Sequence, residues 1–238
     1  MKKLIITVLL TLIVIIALFN VVNGQKIIFS SDGTNHTTDV TTMATPEGGK
    51  LKSAQEGPVR SILGEPVIDL SKFELEITGL VDSSYSLTWE EIKSLPAAYT
   101  DTILMYCVEG WEVWGNWKGV LVKDLLQKAS IHPQGEYVLF SCVDGYTTAL
   151  PVSYVVKYNV MLAYAANDSA LKKQDGFPLR LIAFGKFGYK WAKWVNKLEV
   201  IKRSRKGYWE NRGYSDQADV PIKRRRYYEG ENAKPLEY

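Results

Sequence analysis

Leu104 to Gly119 reads LMYCVEGWEVWGNWKG, and within these 16 residues stand Cys107, Glu109, three glycines and three of the chain's seven tryptophans, Trp111, Trp114 and Trp117. The apolar run from Thr102 predicts a strand that ends at Cys107. Gly110, Gly115 and Gly119 predict a tightly turning loop after it. Leu121, Leu125 and Leu126 at helical spacing predict a helix from Val120 to Ala129. Strand, loop and helix in that order expose one residue on a rigid frame, and here the exposed residue is Cys107. A thiol and an acid on such a loop suggest a metal-ligating cysteine. A lone cysteine at a strand end is also compatible with a small buried hydrophobe.

The rest of the composition narrows the chemistry. The chain holds two cysteines, Cys107 and Cys142, and two histidines, His36 and His132, with no CxxC or HxxxH spacing, which argues against a protein-built zinc site. In an exported protein the two cysteines could instead form a disulfide, closing a loop of about 35 residues and stabilising the fold by about 3–4 kcal/mol. With 46% hydrophobic residues in 238, the chain can bury a core. Twenty-nine basic against 26 acidic residues leave a net charge of +3, far from the excess of a dedicated nucleic-acid binder, so no nucleic-acid partner is expected.

Lys2 and Lys3 precede an uncharged run from Leu4 to Gln25. Residues 1–24 therefore read as a signal peptide or membrane anchor that places the remainder outside the cytoplasm. Residues 25–57 are rich in Ser, Thr, Asp and Gly, as in a polar tether. Asn35-His36-Thr37 and Asn167-Asp168-Ser169 match the glycosylation sequon, a triplet common by chance. The folded domain is expected over 58–230, with a tail over 231–238.

Inside the domain, Phe73 to Thr78 (FELEIT) alternates as a half-buried strand does. Thr88 and Glu91 form a capping box for a helix whose apolar face is Trp89, Ile92 and Leu95, and which Pro96 stops. Tyr137–Cys142 and Tyr146–Leu150 flank an Asp-Gly turn as a strand pair. Pro151 opens a helix to Tyr158, Met161–Ala166 reads as a buried strand, and Asn167–Gly176 as a polar loop. Short mixed elements of this kind indicate an α+β fold.

Arg180 interrupts the apolar run Gly176–Ile182, and a buried guanidinium demands an acid or a phosphate. Phe187 to Trp194 (FGYKWAKW) places Lys190 and Lys193 among aromatic rings beside Gly188. An anion carrying a planar ring system fits both features, although a solvated lysine face fits the lysines alone. The basic runs Lys202–Lys206 and Lys223–Arg226 read as solvated charge.

Taken in order, CVEGW at Cys107, Trp117-Lys-Gly-Val, Asp144-Gly-Tyr with Leu150-Pro151, Gly176–Leu181, Gly188–Val195, and Gly207-Tyr-Trp-Glu with Arg212-Gly-Tyr resemble the sulfite oxidase superfamily of molybdopterin oxidoreductases. That superfamily includes bacterial methionine sulfoxide reductase catalytic subunits. The resemblance implies a single-domain, mixed-sheet fold of that type and one molybdopterin per chain, its molybdenum ligated by Cys107. It also implies that Arg180, Lys190 and Lys193 clamp the terminal phosphate and that Gly188 and Tyr189 bring backbone close to the pterin. Glu109 would lie near the metal as a catalytic residue that tunes it or relays protons, an exposed capping carboxylate being the alternative, and Asp144 and Tyr146 would line the pocket.

The chain departs from the family at Tyr106, where many relatives carry an arginine; that favours sulfoxide reduction over sulfite oxidation. It has no haem-attachment CxxCH, so electrons are expected from a separate partner such as a membrane subunit. The extra dimerisation domain of true sulfite oxidases is not matched, and a monomer is expected. The leader carries lysines rather than a twin arginine. The alternative reading is a cofactor-free, membrane-tethered binding module with a Cys107–Cys142 disulfide.

Overall fold

The structure is a computed structural model that describes residues 52–54, 56–100 and 102–221, with the backbone of 226–229 and 232–235. The apolar leader, the tether up to residue 51 and the Asn35 sequon lie outside the described residues. Among the described residues no helix is long and apolar enough to cross a membrane.

The described chain is mixed α+β and mostly sheet, as expected. Its elements in order are β1 (Lys52–Ser53), β2 (Glu74–Gly79), β3 (Tyr85–Thr88), α1 (Trp89–Ser94), β4 (Ala98–Tyr99), β5 (Thr102–Tyr106), β6 (Glu112–Gly115), β7 (Trp117–Leu121) and α2 (Val122–Ala129). They continue with β8 (Tyr137–Cys142), β9 (Thr147–Pro151), α3 (Val152–Lys157), β10 (Met161–Ala166), β11 (Ser169–Ala170), β12 (Arg180–Ile182), β13 (Val195–Ile201), β14 (Arg226–Glu229) and β15 (Asn232–Pro235). Three five-stranded sheets result: β1-β6-β5-β14-β15, β11-β10-β7-β4 with β12 also on β10, and β3-β2-β13-β8-β9.

Local chemistry explains most boundaries. The Thr88 side chain accepts from the Glu91 amide while the Glu91 carboxylate accepts from the Thr88 amide, so α1 starts where the capping box puts it. Such a cap contributes about 1 kcal/mol. Leu75 and Ile77 on β2 are fully buried beneath α2, whose Leu125 and Leu126 close the same core. β13 is the organising strand of its sheet, parallel to β2 and antiparallel to β8.

Three expectations differ from the structure. Between Cys107 and α2 stand two strands, β6 and β7, rather than a loop. The stretch Glu112–Leu121 is rich in Trp and Val, suits a pleated surface, and pairs β6 antiparallel to β5 from Ile103↔Gly115 to Tyr106↔Glu112. Only Cys107–Trp111 turns, closed by Cys107 N–H donating to Trp111 O at 2.8 Å. Within the polar loop, β11 folds back on β10 and a 3-10 turn spans Lys173–Asp175. In addition, β1 lies in the segment read as tether: it pairs in parallel with β6, and Ala54 is buried there.

Candidate functional site

A cavity of about 430 Å³ opens where the Cys107 turn, the N-terminal segment 57–62, the 3-10 turn Gly188–Lys190 and the segment 209–214 meet. Cys107, Glu109, Asp144, Tyr146, Arg180, Gly188, Tyr189 and Lys193 all line it. These residues span more than 80 positions of sequence and come together only in the fold.

At one end stands the thiol. Cys107 follows β5 at the point where the turn begins, and it is half-buried. Burial pushes its thiol up, and this is opposed by the Glu109 N–H, 3.4 Å from Sγ, by the Val108 N–H and by the charge of Arg60. Burial and the Glu109 carboxylate outweigh the two backbone amides and the Arg60 guanidinium, so the free thiol is held protonated, and a bound metal cation would be what makes it a thiolate. Glu109 accepts from Trp111 Nε1 at 2.9 Å and from Arg60 Nη2 at 2.8 Å, and both hold its carboxyl below the usual range.

Away from the thiol stand the other cations that line the cavity. Arg180 is buried in β12 and paired as a bridge partner with Lys193. Gly176, at φ +110°, makes room for them, because a Cβ there would lie 3.1 Å from both side chains. Arg180 donates to the Asp175 carbonyl at 2.9 Å and contacts Met105 Sδ at 3.1 Å, while its buried Nε has no hydrogen-bond partner. Burial brings its pKa down to about 10, opposed by Asp175, whose buried Oδ2 is also unpartnered. Lys193 donates to Gln174 O, and burial first, then the Arg180 charge, bring it down to about 8. The sequence asked for an acid or a phosphate at Arg180. The structure places no carboxylate in ion-pair distance of it among the described residues.

Asp144 caps its own turn, accepting from the Tyr146 N–H at 3.0 Å, and burial raises its carboxyl. Tyr146 donates its hydroxyl to Tyr189 O, and Tyr189 donates in turn to Ser215 O at 2.8 Å. Burial pushes the Tyr146 hydroxyl far up, so it stays protonated.

Lys190 departs from its expected place. Its ammonium donates to Glu210 Oε1 and to Ala149 O, Glu210 also accepts from Thr148, and Lys190 does not line the cavity. Cys142 is buried apart from the cavity, and both cysteines are free thiols, so the disulfide of the alternative reading is not formed.

Several lining residues were not read from the sequence as site residues: Arg60, Asp175, Trp191, Trp209 and Tyr214. Glu210 and Trp209 sit in the quoted Gly-Tyr-Trp-Glu motif and could have been found there. Arg60 had no signal, because its partner Glu109 is 49 residues away.

The residues present fit a molybdopterin. A polarisable sulfur supplies a metal ligand, an aromatic and apolar cleft suits a ring system, and an orphaned buried guanidinium suits a phosphate. Residues 62–209 match the family described as oxidoreductase molybdopterin binding domain. The chain is 34% identical over 152 residues to an uncharacterized oxidoreductase, YuiH, of Bacillus subtilis, covering 63% of this chain and 76% of that protein. It is 32% identical to a putative protein-methionine-sulfoxide reductase subunit, YedZ1, of Azospira oryzae, covering 62% of this chain and 56% of the relative. Proteins named sulfite oxidase and protein-methionine-sulfoxide reductase catalytic subunit match as well, the span being 32% of one such sulfite oxidase. The fold resembles the crystal structure of the sulfane dehydrogenase SoxCD of Paracoccus pantotrophus, with a TM-score of 0.60 at 23% identity, covering 74% of this chain and 51% of that one. The chain belongs to the oxidoreductase molybdopterin binding domain family and is an oxidoreductase domain that takes a molybdopterin cofactor.

Proposed function

We propose that this domain performs oxygen-atom transfer at a molybdenum centre ligated by Cys107, with reduction of an S-oxide as the favoured direction. The observation that carries this reading is the buried Arg180, with an orphaned Nε, opening onto the same cavity as a thiol cradled by two backbone amides. A buried, uncompensated donor costs about 1–3 kcal/mol, so its presence in the cavity that also holds the thiol is best accounted for by an anionic ligand long enough to reach both. Arg180 and Lys193 hold the phosphate end in this reading, and Gly188 and Tyr189 form the wall beside the ring system.

When bound, the cofactor supplies the two-electron redox chemistry and the site at which oxygen is accepted or released. The chain's own residues do the rest. Cys107 gives the metal its protein ligand, Asp144 and Tyr146 fix the turn and the Tyr189 carbonyl, and the tryptophans exclude water. Reduction of an S-oxide consumes two electrons and two protons and gives a sulfide and water. The electrons come from a separate partner, a membrane subunit being the expectation, and the domain works as a monomer outside the cytoplasm.

Elemental analysis tests the ligand. Protein from a host that makes the cofactor is expected to carry about one molybdenum per chain, and Cys107→Ser to carry almost none while its far-UV circular dichroism stays the same. Equal metal content in the two proteins refutes Cys107 as the ligand.

A further inference from the structure

We propose that the exposed basic face of Lys202–Arg212, centred on the Tyr208 ring, is where the electron-donating partner docks, and that this partner is a one-electron redox protein with an acidic surface. This rests on the proposed function, in which two electrons reach the cavity from outside the chain.

From Lys202 to Gly213 the chain reads KRSRKGYWENRG. Its five basic residues, Lys202, Arg203, Arg205, Lys206 and Arg212, are all exposed, whereas its one acid, Glu210, is buried against Lys190. Two further acids stand where β13 runs into this segment. Glu199 reaches Arg205 at 3.9 Å, and Glu136 donates its N–H to Ile201 O without pairing to a cation. Among the described residues Lys202, Arg203 and Lys206 have no carboxylate within ion-pair distance. The segment therefore presents a field of one sign, which steers and orients an acidic surface.

A route inward distinguishes this face from a merely solvated one. Tyr208 is half-buried at its centre, donating its N–H to Thr147 O at 3.0 Å. The Arg212 guanidinium lies 3.6 Å from the centre of the Tyr208 ring and donates to Tyr208 O at 2.8 Å. The Tyr208 ring meets Tyr146 at 5.9 Å and Trp209 at 5.2 Å between centroids, Trp209 meets Tyr214 at 5.1 Å, and Tyr214 meets Tyr189 at 5.3 Å. Of these rings all but Tyr208 line the cavity. Tyr208 thus stands between the basic face and the cavity wall, and a donor seated on it is separated from the cavity by packed rings rather than by water. Each encounter passes one electron inward and leaves the donor oxidised by one electron. Two encounters with two protons supply the reduction of one S-oxide to sulfide and water. An anionic bilayer also answers to basic and aromatic side chains, but it supplies no electrons, and the ring contacts lead to the cavity.

Calorimetric titration of the full chain with a soluble acidic flavodoxin, and with basic cytochrome c as the control of opposite charge, tests the face. Arg203→Glu combined with Lys206→Glu should weaken flavodoxin binding at least about tenfold at about 20 mM salt, and the difference should close near about 0.5 M as screening shortens. Cytochrome c should bind the native chain more weakly than flavodoxin does. Lys72→Glu, towards the opposite end of the β2–β13 pair, should leave flavodoxin binding unchanged. The route is read on molybdenum-loaded protein at saturating flavodoxin hydroquinone, whose flavin passes one electron and becomes the semiquinone. Tyr208→Leu should slow that step severalfold, and Tyr208→Phe, which keeps the ring, should restore it. Absence of salt-sensitive flavodoxin binding, or equal affinity in the native chain and the double variant, overturns the docking face. So does a double variant that loses phosphatidylglycerol vesicles while keeping flavodoxin, which would give the face to lipid. An unchanged rate in Tyr208→Leu overturns the route. Molybdenum is measured on each preparation: a native chain without it refutes the proposed function, while the flavodoxin constants still decide the face.

Discussion

Lys190 and Lys193 stand three residues apart in one aromatic-rich segment, and their ammonium groups have opposite situations. Lys190 is buried to 2% exposure against Glu210 at 1%, with Thr148 and Ala149 completing the cluster. Lys193 and its neighbour Arg180 line the cavity and donate to backbone carbonyls and to Met105 Sδ, with the Arg180 Nε left over. Both situations cost desolvation. Among the described residues only the first is repaid by a carboxylate in ion-pair distance; in the proposed reading the second is repaid by the phosphate of the cofactor. The first also seals itself sterically: a Cβ at Gly207 would lie 2.1 Å from Thr147 O and 2.8 Å from Glu210 Oε2, so the acid's segment packs with no room to spare.

The largest effect is expected where the paired cluster is broken. Glu210→Ala leaves the Lys190 ammonium buried and uncompensated and should cost about 3–5 kcal/mol in urea denaturation. The double replacement Lys190→Met with Glu210→Leu should recover most of that, and failure to recover would mean that the cluster does more than balance charge.

Arg180→Met should behave in the opposite way. The metal-free protein should lose no more than about 1 kcal/mol, because an orphaned charge is removed with it. The same variant should retain at least about tenfold less molybdopterin under dialysis. A strongly destabilised Arg180→Met would place Arg180 in the same class as Lys190 and remove the contrast.

The smallest effect concerns pH. Lys193 is brought down to about 8 in the folded protein, below its ordinary value. Its charge therefore costs the folded state stability below about pH 8, and that cost fades as pH rises towards the ordinary lysine range. The metal-free native chain should gain about 1 kcal/mol relative to Lys193→Met over that interval, after allowance for solvent screening. A bound phosphate should abolish the difference by holding the ammonium charged.

Much of the frame was legible along the chain because it depends on near neighbours. The Thr88 capping box, the Asp144-Gly145 turn and the Met161–Ala166 strand each need only a few residues to specify them, and each stands where the sequence puts it. The anomaly of Arg180 was legible too, because a guanidinium in an apolar strand is costly wherever the strand goes, and the structure buries it with its Nε unpartnered. The pair β6 and β7 was not. Their glycines suggested a loop, and only pairing with β5 and β10 shows that Gly119 is there to let β7 approach: a Cβ would lie 2.1 Å from Leu162 O.

For the candidate site the same division holds. Side-chain type and local pattern single out Cys107, Arg180 and the lysines, since sulfur softness and the cost of burying charge are properties of a residue. Which lysine meets an acid and which meets the cavity is a different kind of fact. It depends on Glu210 arriving 20 residues later, and on Arg60 reaching Glu109 across 49. Charge compensation acts over a few ångströms in space and is indifferent to distance along the chain, so only the tertiary structure could assign those partners.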